Sequence, residues 1–138
     1  MNFESLWFAI LLSAVATEAL GMLWYSPALF GRAWARLSGL TDEALVAQKA
    51  KGMAKSYLLA FLGAFVTAFV LSYLFVYLNV ATFVGGLELA ALLWFGLIAP
   101  VMLPSVLWEG KSWLLYSINA LYYLMALFLT ALILTAWL

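Results

Sequence analysis

YLLAFLGAFVTAFVLSYLFVYL, residues 57–78, is the stretch on which the fold turns. It holds no charged side chain over a length close to the ~20 residues a helix needs to cross a hydrocarbon core about 30 Å thick. Three more apolar stretches flank it, roughly Leu6–Trp24, Leu87–Leu107 and Trp113–Trp137. Together they predict an all-α polytopic membrane protein. Its one domain, residues 1–138, has four transmembrane helices in an up-and-down bundle (about 6–24, 57–78, 87–107 and 113–137). A soluble fold would have to hide four segments that lack a polar face. With 69% hydrophobic and 9% charged residues, there is too little polar sequence to cover them.

Threaded back and forth, the chain places all its basic residues in two connections. Arg32, Arg36, Lys49, Lys51 and Lys55 fall in the first, and Lys111 in the third. That asymmetry marks cytoplasmic loops, so both termini are expected outside. Met1-Asn2-Phe3-Glu4 carries an acid and no base, the opposite of a signal peptide's start. A cleaved leader at Ala14-Val15-Ala16 is therefore not expected. The basic residues sit where topology already requires them, which leaves no separate face for nucleic acid. With no Cys and no His, thiolate and imidazole catalysis and ordinary zinc sites are excluded, and no metal or cofactor is expected.

The first connection, residues 26–55, reads as a cytoplasmic amphipathic hairpin. Ser26-Pro27 suits an N-cap and N1. Over Pro27–Ser38, Leu29, Phe30, Ala33, Trp34 and Leu37 recur at helical spacing, with Arg32 and Arg36 on another face. Gly39 is a natural stop, and Thr41 followed by Asp42-Glu43 is a good helix start. Only Gly52 weakens the run from Asp42 to Leu78. One unbroken helix is expected there, about 55 Å long and projecting roughly 15–20 Å below the bilayer. The short Asn79–Gly86 connection makes helices two and three expected antiparallel neighbours.

Glu18 is the most conspicuous polar residue, about two turns above the inner end of helix one. An intramembrane acid is expensive unless protonated or paired, and defaults to a functional hypothesis. It either titrates in binding or transport, or serves as hydrogen-bonded packing glue. Asn119 lies six residues above Trp113, as Glu18 lies six below Trp24 in number, which suggests a shared depth. Pro100 and Pro104 cannot donate to the carbonyls of Gly96 and Pro100, so helix three should kink and bare two acceptors. Glu18, Gly96, Pro100, Asn119 and Tyr122, with Tyr123 nearby, are thus the candidate ligand-binding cluster in the inner half. In helix two, Ser56, Ala60, Ala64, Ala68 and Ser72 recur every four residues beside Gly63 and Thr67, a stripe suited to close packing in the bundle or to homo-oligomer contact.

The run Gly21-Met22-Leu23-Trp24-Tyr25-Ser26-Pro27-Ala28-Leu29-Phe30-Gly31-Arg32-Ala33-Trp34 resembles the signature of a bacterial membrane family, domain of unknown function 1761. Similarity continues in Trp94-Phe95-Gly96, Trp108-Glu109-Gly110-Lys111-Ser112-Trp113 and Ile118-Asn119-Ala120-Leu121-Tyr122. The resemblance implies a small four-helix bacterial inner-membrane protein and no particular activity. It also implies that Trp24, Tyr25, Pro27, Phe30, Gly31, Trp34, Glu109, Gly110 and Asn119 belong to the family's motif. Physically the motif reads as a corner that packs Trp24, Phe30 and Trp34 at the base of the bundle, with Arg32 or Arg36 in reach of Glu109. The expected role is non-enzymatic: binding or moving a small amphiphilic or cationic molecule, or a lipid, through the inner-half pocket. The alternative is a structural or accessory subunit that packs or oligomerises through helix two.

Overall fold

The computed structural model describes residues 3–138, which form helices joined by short turns. The helices are α1 (Phe3–Trp24), α2 (Gly31–Leu37), α3 (Asp42–Ala50), α4 (Ala54–Tyr77), α5 (Phe83–Leu93), α6 (Pro104–Leu107) and α7 (Trp113–Trp137). A π-helical turn, Trp94–Ile98, continues α5. Three of these, α1, α4 and α7, are long and apolar enough to cross a membrane. The end of the molecule that carries Trp24, Ala54, Lys111 and Trp113 is called the basic end below.

The sequence reading of four spanning helices needs correction at the third stretch. Pro100 and Pro104 lack the N–H that would continue an α-helix. The chain widens into the π turn before Pro100, makes turns over 99–103 and resumes only as the short α6. The two bare acceptors also fall elsewhere than expected. The Pro100 carbonyl accepts from Leu103 N–H at 3.2 Å. The carbonyl of Ala99 instead takes the Tyr116 hydroxyl at 2.7 Å.

The expected unbroken helix from Asp42 to Leu78 is likewise two helices. Gly52 takes a left-handed φ of +81°, a conformation that glycine adopts at no steric penalty, and α3 ends there. The hook after α1 also differs from expectation. Ser26 does not cap: its hydroxyl donates back to the Leu23 carbonyl at 2.7 Å. Residues 26–30 form a turn, held by Phe30 N–H to the Trp24 carbonyl (3.0 Å) and Gly31 N–H to the Ser26 carbonyl (2.9 Å), and α2 starts only at Gly31.

Gly39 and Thr41 act as read. Gly39, at φ +73°, ends α2 with Leu40 N–H on the Ala35 carbonyl and Gly39 N–H on the Arg36 carbonyl, a Schellman pair. The Thr41 hydroxyl accepts from Ala44 N–H at 3.1 Å to start α3. Thr82 and Ser112 cap α5 and α7 in the same way. Asn79, at φ +56°, ends α4 with Val80 N–H on the Phe75 carbonyl.

In packing order, α4 lies on α1, α1 on α7, and α7 on α5. Helices α4 and α5 are consecutive but share no comparable contact, against the expectation that they pair. The core sits toward the end away from the basic residues. Ala9, Ile10, Ala68, Leu71, Phe75, Ala90, Leu127, Ala131 and Leu134 are buried together there. Fully buried alanines on four helices let backbones approach closely, which is how apolar helices gain contact without a hydrophobic driving force. Large side chains such as Leu58, Leu62, Val66, Val70 and Val76 on α4 stay exposed, which is compatible with a surface that faces lipid. The small-residue stripe of α4 is divided: Ala68 and Ser72 are buried, while Ser56, Ala60, Gly63 and Thr67 are exposed.

Candidate functional site

Where the lower part of α4 leaves the core, a cavity of about 890 Å³ separates it from α1, α7 and the broken segment. The α1 wall presents Thr17, Glu18, Gly21, Met22 and Tyr25. The exposed half of the small-residue stripe, from Ser56 to Thr67, forms the opposite wall. Tyr122, Tyr123, Ala126, Leu127 and Thr130 of α7 make the floor, and Leu97, Ile98, Val101 and Met102 close a third side. Small residues on α4 are what leave the space: around Gly63 nothing lies within 4 Å of where a Cβ would stand.

Hydrogen bonds fix the α1–α7 side of this cavity. The Trp24 indole donates to the Ile118 carbonyl at 3.0 Å, and Tyr25 donates its hydroxyl to Asn119 Oδ1 at 2.8 Å. One turn higher, the Tyr122 hydroxyl reaches the Thr17 carbonyl at 3.4 Å, and the Thr17 and Thr130 hydroxyls lie 3.5 Å apart. Close approach makes this possible. A Cβ on Gly21 would stand 3.0 Å from the Tyr122 hydroxyl. The rings of Tyr25, Tyr122 and Trp34 meet edge to face, with Tyr25 at 5.3 Å from Tyr122 and 5.8 Å from Trp34. Burial, with the neighbouring tyrosines Tyr123 and Tyr122 adding to it, pushes the Tyr25 phenol well above its ordinary value. The same burial favours the neutral phenol, the form that donates to Asn119.

The residues read from the sequence as one cluster are partly brought together. Glu18 and Tyr122 line the cavity. Asn119 stands outside the lining and is bonded to Tyr25 instead. The Trp24 indole, at the end of α1, bonds α7 at Ile118, next to Asn119. Gly96 and Pro100 are exposed and stand outside the lining; their neighbours Leu97, Ile98 and Val101 face it instead. Thr17 and Thr130 were not singled out from the sequence, and Thr67 only as part of the small-residue stripe. Their signal was there, as hydroxyls within otherwise apolar helices.

The remaining motif residues build the corner below. Trp24 packs on Phe30, ring centroids 4.7 Å apart. Gly31 admits no side chain, because a Cβ there would stand 2.3 Å from the Tyr25 carbonyl oxygen. Pro27, Gly31, Arg32, Trp34 and Arg36 border a second groove with residues of α3. The expected pairing of Arg32 or Arg36 with Glu109 is not made among the described residues; Glu109 is exposed in the turn that Gly110, at φ +69°, allows.

Chemically, the cavity is an apolar chamber with hydroxyls and one carboxyl. Among the described residues its lining includes Glu18 and no basic group, and no three metal-ligating side chains converge. The hydrogen bonds that knit α1 to α7 leave the Glu18 carboxyl out, facing the space.

Fold and site together define a helical protein with apolar helices compatible with membrane insertion and an open, acid-bearing cavity at one end. The chain belongs to the family described as "Protein of unknown function (DUF1761)", whose model matches residues 8–135, nearly its whole length. No curated protein and no solved structure matches it.

Proposed function

We propose that this is a non-enzymatic protein of a bacterial inner membrane that binds, and moves, a small cationic amphiphile through the cavity beside Glu18. In this reading the basic end faces the cytoplasm and both termini lie outside, as the positive-inside asymmetry favours. The broken stretch 87–107 makes the fourth crossing of an up-and-down path. Non-helical backbone at that depth is tolerable because it borders a cavity and finds Tyr116 as a donor.

One observation carries the proposal: a carboxyl that makes no hydrogen bond among the described residues borders a chamber of about 890 Å³ with mostly apolar walls. That volume lies within the roughly 300–1,000 Å³ typical of small-molecule sites. A carboxylate in such surroundings favours a cationic partner, and the walls favour an apolar body. The test uses tetraphenylphosphonium as the probe. Purified protein should bind it, Glu18→Gln should lose that binding, and proteoliposomes of the variant should lose uptake driven by a proton gradient. Equal binding by Glu18→Gln would remove Glu18 from the mechanism.

A second reading is favoured by the exposed half of the α4 stripe, where Gly63 has open space around it. There the cavity wall serves as a contact for another copy or for a partner subunit. Ala64→Leu should then change the oligomer seen by native mass spectrometry, and an unchanged oligomer counts against this reading.

A further inference from the structure

The second groove, about 860 Å³, lies between α2 and α3 at the basic end and is separate from the Glu18 cavity except for Tyr25, which borders both. We infer that this groove is a binding site for the headgroup of an anionic glycerophospholipid, with Arg32, Arg36 and Lys49 holding its phosphate.

The local structure creates the site. The Schellman ending at Gly39 and the Thr41 cap turn the chain back within a few residues, so α3 returns along α2. Arg32 and Arg36 are four residues apart and share one helical face. Lys49 approaches from α3, and Asp42 is the one carboxylate that borders the groove. Three cations against one acid leave a positive site. Among the described residues no ion pair takes up Arg32, Arg36 or Lys49, so their charge is available. Arginine is the residue suited to phosphate, because its planar fork donates two parallel hydrogen bonds. Trp34, Leu40 and Leu45 give the groove an apolar base, fit for a glycerol backbone rather than for a hydrated inorganic ion.

Position selects a lipid over other polyanions. The groove starts at Tyr25, the residue directly after the last residue of α1. A headgroup layer is about 5–8 Å thick on each side of the hydrocarbon core. Leu29 and Phe30, beside the groove, are exposed apolar side chains that belong against lipid. A phosphate in the groove would thus keep its acyl chains in the bilayer.

The experiment counts lipids retained by the full-length protein in native mass spectrometry, after exchange into detergent containing phosphatidylglycerol or phosphatidylcholine. One tightly held phosphatidylglycerol and no phosphatidylcholine is expected. Each basic group near an anionic surface contributes roughly fivefold in affinity, so the double variant Arg32→Gln, Arg36→Gln should bind about 30-fold more weakly. The control variant Lys51→Gln, Lys55→Gln removes equal charge from positions outside the groove and should retain the lipid. Millimolar inorganic phosphate should not displace it; displacement would reassign the groove to free phosphate and overturn the lipid. Equal loss in both double variants, or no loss in either, would also overturn the site, reducing it to diffuse attraction or to none. Both variants are compared at equal thermal stability, read from circular dichroism, so that unfolding cannot mimic lost binding.

Discussion

Gly31→Ala is the smallest change that should damage the corner at the base of the helices. The added methyl would stand 2.3 Å from the Tyr25 carbonyl oxygen and 2.8 Å from both the carbon and the oxygen of the Ser26 carbonyl. All three are backbone atoms, so no side chain can swing away. Reaching an ordinary contact of about 3.5 Å means opening the turn by roughly 1 Å. That turn is held by Phe30 N–H on Trp24 and Gly31 N–H on Ser26, at 3.0 and 2.9 Å. Overpacking of this kind costs about 1–3 kcal/mol, and each weakened hydrogen bond about 1 kcal/mol. Alanine returns at most about 1 kcal/mol through its higher helix propensity. The net expectation is a loss of about 2–4 kcal/mol. It can be measured as equilibrium unfolding in mixed micelles titrated with SDS and followed by circular dichroism. Gly63→Ala is the matched control. It lies inside α4 with nothing within 4 Å of its Cβ position, so it should gain stability by about 0.5–1 kcal/mol. An unfolding midpoint for Gly31→Ala at or above wild type would refute the reasoning. So would equal losses in the two variants, since the loss would then not come from the Tyr25 contact.

Two further predictions concern the bonds that frame the cavity. Tyr25→Phe removes the donor to Asn119 Oδ1 and should destabilise by about 1–2 kcal/mol; in a double-mutant cycle with Asn119→Ala the pair should couple by about 1 kcal/mol, and additivity would show that the 2.8 Å bond does not hold the two together. Tyr116→Phe leaves the Ala99 carbonyl without its hydroxyl donor and should cost about 1–3 kcal/mol, whereas Ser117→Ala, which loses only a bond to its own helix, should stay within about 0.5 kcal/mol of wild type.

How far the sequence carried the reading depends on what each feature needs to know. Thr41, Gly39 and the proline pair act through their own covalent geometry, and each acts where it stands. Gly52 is different. A glycine inside a helical run permits either sign of φ, and only the finished fold decides that Gly52 takes +81° and separates α3 from α4. Ser26 shows the same limit, since its hydroxyl could serve a cap or the preceding turn, and the turn won at Leu23. Helix partners were least legible. In lipid no polar face marks which side of a span is inside, so residues on α4 as unlike as Ala68 and Val66 carry no pattern that reveals the choice of α1 over α5. Register was hidden for a related reason. Aromatic residues at both ends of the spans invite level matching, and Trp24 instead reaches Ile118.

The cavity follows from these choices rather than from any one residue. Helix α4 is anchored near its far end by Leu71 and Phe75, with Gly86 admitting the Phe75 ring where a Cβ would stand 3.0 Å from it. A continuous third helix lying antiparallel to α4 would fill the space along Ser56–Thr67. Pro100 and Pro104 prevent that helix, and the π turn directs Leu97 and Val101 to the border of the space without closing it. Large side chains on α4 could have filled the gap, but apart from Tyr57 near the basic end the positions that face it are serine, alanine, glycine and threonine. Close packing asks such a stripe to meet another helix, and here its lower half meets none. The broken helix and the uncovered stripe are therefore two halves of one arrangement, and Glu18 is the acidic residue set opposite them. A packing role alone would explain the small residues but not the acid, which the bonds between α1 and α7 pass by.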